Sequence, residues 1–226
     1  MYRYETHLHT KTASACSRFT AEEIIEKYKR LSYAGVFVTD HFLNGNTTVP
    51  RSLPYREAIG RYVRGYEEVK RAAEGLAVFF GFEYSYKGTD FLVYGLGAEE
   101  LCAHPEIMDM RTKEFLRFAR QAGALVVQAH PTREADYIDH VRLFPSDVDG
   151  FETLNANRTE RENYLADVYA TAYELRKTAG SDIHHKEQRS LAGMEFLTPL
   201  LNEKDFAERV KAGEGSLFSL TDEGVL

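Results

Sequence analysis

Short apolar runs alternate along this chain with longer segments in which apolar residues recur every three or four positions. The runs include VFVTD over 36–40, AVFFGFE over 77–83, DFLVYGL over 90–96, ALVVQAH over 124–130, GFETLN over 150–155 and TAGSD over 178–182. Their length and their Val, Phe and Leu content predict buried strands. Between the first runs, TAEEIIEKYKRLSYAG carries Ile24, Ile25 and Tyr28 on one helical face. It opens on Thr20, with Glu23 three residues later as a capping box, and stops at Gly35. The same period predicts helices over about 55–74, 112–122 and 159–177, and another in NEKDFAERVKAG after a strand at MEFL. Strands separated by helices predict a parallel sheet covered on both faces, and about seven such units predict that the sheet closes into a (β/α) barrel.

The polar residues that interrupt this pattern are concentrated where the apolar runs stop. His7 and His9 lie in YETHLHT, Asp40 and His41 in VFVTDH, Glu83 ends VFFGFE, His130 ends LVVQAH, and Asp182 and His184 lie in GSDIH. Imidazole nitrogens with carboxylate oxygens suit Zn, Mn or Fe. In a closed barrel the C-terminal ends of parallel strands share one mouth, so residues far apart in sequence can meet there. Taken singly, an HxH reads as packing and a TDH as a turn capped by Asp; five such places at strand ends read as a metal site. Asp40 is read as orienting the neighbouring His41 ring or capping a turn.

Composition narrows the rest. A length of 226 residues with 43% hydrophobic content and no linker or low-complexity tract predicts one packed domain over 1–226. A net charge of −7 argues against a broad basic face for duplex nucleic acid, which leaves nucleic acid only as a substrate. No apolar stretch approaches the roughly 18 residues that span a bilayer and no leader is evident, so a cytoplasmic protein without membrane contact is expected. Cys16 and Cys102 are in no CxxC pair, which excludes a zinc ribbon or a thioredoxin-like motif.

In order, HxHT at the first run, TDH at the second, GxE at the third, then AHP and a late GSDxH resemble the polymerase and histidinol phosphatase (PHP) family, over His7 to His184. The resemblance implies a distorted seven-stranded β/α barrel holding two or three divalent ions and hydrolysing phosphate esters. On that resemblance His7, His9, Glu83 and Asp182 hold one ion. Glu83 bridges to a second held by His130, and His41 with His184 holds a third. Two positions depart from the family. ASACS places Ala15 and Cys16 where many relatives have a histidine, and Asp90 stands where a histidine often opens the strand after the glutamate. Asp90 is therefore included as a ligand of the second ion, with a harder oxygen that favours Mn or Fe. His104, in AHPE, is its rival and reads as a surface histidine, as do His140 and His185.

The expected reaction is hydrolysis of a small phosphomonoester by a metal-activated water, with His7, His9, Glu83, His130 and Asp182 acting through the ions. Arg133 and Arg158 are expected to grip phosphate oxygens, with Arg18 and Arg189 as further candidates and Glu152 and Asn155 lining the site. Cleavage of nucleotides or oligonucleotides by phosphodiesterase or exonuclease chemistry is the alternative within the family, and a catalytically weak regulatory barrel the alternative outside catalysis. Amidohydrolases also carry HxH on a first strand, but place a bridging lysine where this chain has Glu83.

Overall fold

The computed structural model describes residues 1–223. Nine strands form one sheet in the order β7-β6-β5-β4-β3-β2-β1-β8-β9, which curls until it nearly closes. Strand β1 (Tyr2–Leu8) pairs in parallel with β2 (Gly35–Val38), and β2 with β3 (Ala77–Tyr86). Strands β5 (Leu125–Ala129), β6 (Gly150–Asn155) and β7 (Arg176–Gly180) continue in parallel. At the seam, a parallel bridge between Leu8 and Ile183 ties the chain just after β7 back to the end of β1.

The expected seven parallel strands are thus corrected to a mixed sheet of nine. Strand β4 (Thr89–Tyr94) is antiparallel to both β3 and β5. It follows β3 through a two-residue turn, with Lys87 at φ +49° and Gly88 at φ +79°. Two consecutive positive-φ residues give the tight turn whose twist matches a hairpin. At the other end, β8 (Ser190–Phe196) and β9 (Ser216–Thr221) form an antiparallel pair that extends the sheet past β1.

Seven α-helices and one short 3-10 helix (Pro105–Met108) accompany the strands among the described residues: α1 (Ala21–Arg30), α2 (Tyr55–Tyr62), α3 (Arg64–Ala72), α4 (Ala98–Ala103), α5 (Thr112–Gln121), α6 (Glu160–Ala172) and α7 (Glu203–Ala212). The single helix expected over 55–74 is broken at Val63, and the one expected to reach Lys177 ends at Ala172. At that end Glu174 takes φ +54°, a left-handed stop made without glycine, and the chain re-enters the sheet at Arg176. None of the helices is long and apolar enough to cross a membrane.

The two faces of the sheet differ. Outward residues such as Leu8 of β1, Phe80 and Phe82 of β3 and Val126 of β5 pack under the helices in the hydrophobic cores. On β1 a register shift between Glu5 and Leu8 sets Glu5, whose carboxylate accepts from Tyr28 of α1 at 2.7 Å, apart from His7 and then His9, which point inward and are buried, as are Glu83 and Glu152. A barrel interior is ordinarily filled by branched apolar side chains. Here titratable groups occupy it near the mouth, and buried charge is costly unless paired or bound to a cation.

Candidate metal centre

Backbone geometry explains why these side chains meet. His7 and His9 are two residues apart on an extended segment and so share the inward face. His41 follows β2 and forms a parallel bridge with Glu83, which lies within β3 because the hairpin prolongs that strand beyond the apolar run. Asp90 is brought to the same mouth because β4 runs the opposite way: its beginning, not its end, lies there, opposite Ala129 and next to His130. His130 and Asp182 have φ +28° and +50°. Left-handed backbone at two non-glycine residues is strain of the kind found where structure serves a site.

The imidazoles are held by one edge and present the other. His7 Nδ1 lies 2.8 Å from Glu152 Oε1, His9 Nδ1 3.2 Å from Ser14 Oγ and His184 Nδ1 2.8 Å from the Asp182 carbonyl. With the ring protons on those nitrogens, each Nε2 is a free acceptor. Yet His7 Nε2 and His9 Nε2 are 3.1 Å apart. Glu83 Oε1 is 3.5 Å from His7 Nε2 and 3.3 Å from His130 Nε2, and Glu83 Oε2 is 3.5 Å from His9 Nε2. Asp182 Oδ1 is 3.6 Å from His7 Nε2 and 3.5 Å from His9 Nε2. His41 Nδ1 comes within 2.7 Å of Glu83 Oε2 without the alignment of a hydrogen bond, so both Glu83 oxygens are buried with no hydrogen-bond partner. Acceptors that converge without donors fit a cation.

Three overlapping groups have ligand atoms close enough to share an ion: His7, His9 and Asp182; His7, Glu83 and His130; and His9, His41 and His184. Asp90 is buried beside the second, its Oδ2 4.0 Å from His130 Nε2. Cys16 lines the cleft beside the third group. Burial would raise its thiol, but the His184 and His41 imidazoles facing it bring it down to about 7. Burial pushes His7 down as well, but Glu152, Asp182 and Glu83 outweigh it and hold it well above the ordinary value. Burial would likewise raise Glu83, and the His41 and His7 imidazoles hold it well below. A cation bound at His7 must therefore displace a proton, and affinity there should fall as pH falls.

Supporting residues fix this geometry. Glu152 joins His7 to the backbone N–H of His130 at 3.0 Å and to Asn155 Nδ2 at 2.8 Å, so one carboxylate positions two candidate ligands. Asp40 accepts from the Thr10 N–H at 2.6 Å, the Thr10 hydroxyl at 2.7 Å and the Ser14 hydroxyl at 2.6 Å. Through Ser14, whose Oγ lies 3.2 Å from His9 Nδ1 and receives the backbone N–H of His41 at 3.0 Å, it steadies His9 and the His41 backbone rather than the His41 ring. The sequence reading named neither Ser14 nor the part Glu152 plays. A polar residue inside an otherwise buried strand was the available signal for Glu152; Ser14, in a loop, offered none.

The site opens into a cleft of about 630 Å³ lined by Arg133, Arg158, Lys87 and Tyr137 as well as by candidate ligands. Arg133 Nη1 is 3.6 Å from Asp90 Oδ2, and the Nε atoms of Arg133 and Arg158 are buried without hydrogen-bond partners. Arg18 and Arg189 are exposed and do not line this cleft. His104, His140 and His185 pair instead with Glu106, Asp139 and Glu187 on the surface.

With this geometry established, comparison with known proteins gives a consistent result. Residues 160–214, from α6 to α7 and the turn after it, match the PHP-associated family. A two-domain protein from Bacteroides vulgatus, described as containing a predicted PHP-like metal-dependent phosphoesterase, superposes with a TM-score of 0.68. In one segment and in its fold, the chain resembles PHP-like proteins. Identity to that protein is 13%, over 96% of this chain and 64% of the other, so this chain spans less than two thirds of its length. PsfC from Pseudomonas syringae gives a TM-score of 0.64 at 16% identity, over 99% of this chain and 93% of PsfC. An amidohydrolase from Chromobacterium violaceum, with bound sulfate and no metal, gives 0.51 at 14% identity, over 92% and 96%. No curated protein matches the chain significantly.

Proposed function

We propose that the chain is a metal-dependent phosphoesterase acting on a small phosphomonoester. The observation that carries this reading is Glu83: a fully buried carboxylate, both oxygens without hydrogen-bond partners, set among His7, His9, His41 and His130. His7, His9 and Asp182 would hold one divalent ion, Glu83, His130 and Asp90 a second, and His41 with His184 a third, with Zn, Mn or Fe suiting the mixed nitrogen and oxygen donors. Such ions, when bound, lower the pKa of a water toward neutrality and offset charge on phosphoryl oxygens.

The chain's own residues then bind and orient the ester. Arg133 and Arg158 present guanidinium groups to the cleft, where a planar fork matches two phosphate oxygens. Lys87, at the tip of the β3–β4 turn, adds a third cation at the rim. Asp90 draws Arg133 toward the second group of candidate ligands and so places the phosphate beside it. The lysine that amidohydrolases use as a bridge has no counterpart here, since Glu83 stands in the interior and Lys87 only at the rim.

Arg133→Ala and Arg158→Ala should each lower kcat/KM for p-nitrophenyl phosphate about 10- to 100-fold, the scale of roughly 1.5 to 3 kcal/mol for a charged hydrogen bond, with metal content unchanged. Steady-state kinetics beside elemental analysis checks this. Parent-like kinetics in both variants would return the arginines to the surface. Faster turnover of bis(p-nitrophenyl) phosphate than of the monoester by the parent would replace the monoester reading with a phosphodiesterase.

A further inference from the structure

A second cavity adjoins the metal cleft and differs from it in chemistry. It encloses about 460 Å³, within the range of small-molecule sites, and its walls include Leu43, Val49, Leu53, Tyr55 and Met108. Asn44 lines both cavities, and Leu43 is only two residues past the candidate ligand His41. Asn44 is therefore a shared wall between a cleft lined by arginines and candidate metal ligands and an apolar cavity.

That wall is braced. Asn44 Nδ2 donates to the Ser85 carbonyl at 2.8 Å. The segment after it is fastened to the loop at 12–15: Ala15 N–H donates to the Asn46 carbonyl at 2.8 Å, and Thr48 N–H and Thr47 Oγ1 donate to the Ala13 carbonyl at 3.0 and 2.9 Å. On the far side, Tyr55 OH donates to the Leu101 carbonyl at 2.8 Å. Pro50 and Pro105 line the same cavity and restrict its backbone. A space built this way exists before any ligand arrives, so filling it costs little ordering.

We infer that this cavity is the subsite for the leaving group, and that the preferred substrates are phosphomonoesters of aromatic or branched apolar alcohols. The inference rests on the phosphoesterase reading, because the phosphoryl group must sit on the metal side of Asn44 for its ester oxygen to direct the alcohol past Asn44 into the apolar cavity. Charge supports the same orientation. Arg133, Arg158 and Lys87 stand on the metal side, whereas the apolar cavity has Arg51 as its one lining cation. An anion at one end and an uncharged apolar body at the other match that division.

The test compares 1-naphthyl phosphate with glycerol 1-phosphate in the parent, Met108→Glu and Leu53→Gln. Met108 is 40% exposed, so a charge there need not disturb folding; Leu53→Gln supplies an uncharged second variant. Each variant is expected to lose about tenfold or more in kcat/KM for 1-naphthyl phosphate while staying within about twofold for glycerol 1-phosphate. Taking variant-to-parent ratios removes the intrinsic reactivity of aryl esters. Equal changes for the two substrates, or none, would overturn the subsite. If the parent hydrolyses neither ester, the phosphoesterase reading fails and 2-naphthol binding, followed by its fluorescence, decides the cavity alone. Saturable binding that both variants weaken keeps an apolar ligand site; absence of binding by the parent overturns it.

Discussion

Glu83→Gln is expected to abolish hydrolysis, with kcat/KM falling at least about a thousandfold, a loss of roughly 4 kcal/mol in transition-state stabilisation. The substitution keeps the size of a side chain that is fully buried among His7, His9, His41 and His130. It removes the charge, and it replaces one acceptor oxygen with an NH₂ group that points donors where a cation would sit. Metal content should fall by at least one equivalent, because Glu83 faces two of the three candidate groups. Steady-state assays with elemental analysis read both effects, and circular dichroism confirms that the variant is folded. Retention of parental activity and metal content would remove Glu83 from the reaction.

Metal removal should destabilise the fold itself. The interior near the mouth concentrates Glu83, Asp182 and Glu152 with several imidazoles, and a cation held by this arrangement, but not by the unfolded chain, would stabilise the fold. With free metal about a thousandfold above Kd, the stabilisation is about 4 kcal/mol. For a chain of this size that corresponds to a Tm lower by about 8 to 16 °C after chelation. Calorimetry with and without a chelator measures it, and an unchanged Tm would show that the interior carries its charges without ions.

The candidate ligands were legible because each interrupts an apolar run, and a two-residue spacing such as His7 and His9 places both on one strand face. Asp90 enters the candidate set through the resemblance alone; the physical reason for its position at the mouth, an antiparallel β4, has no clear mark in the sequence. The signal was Lys87-Gly88, whose consecutive positive φ values make the hairpin. A basic residue before glycine is a weaker sign of that turn than Asn-Gly. The end of α6 was missed for a related reason, since Glu174 takes the left-handed conformation that glycine would have advertised. Strand β9 pairs only with β8, at the margin of the sheet, and its exposed and half-buried side chains leave little apolar pattern to read. Long-range polar contacts were the least legible. That Glu152 fixes His7 from 145 positions away depends on closure of the whole sheet, and no local pattern encodes it.

The central claim is that acceptors converging without donors around Glu83 constitute a site for more than one divalent ion. Elemental analysis of the parent, purified from cells grown with ample Zn, Mn and Fe and then desalted, tests this most directly. Two or more equivalents of divalent metal per chain are predicted, because Glu83 shares its oxygens between groups on either side; less than one equivalent would contradict the account.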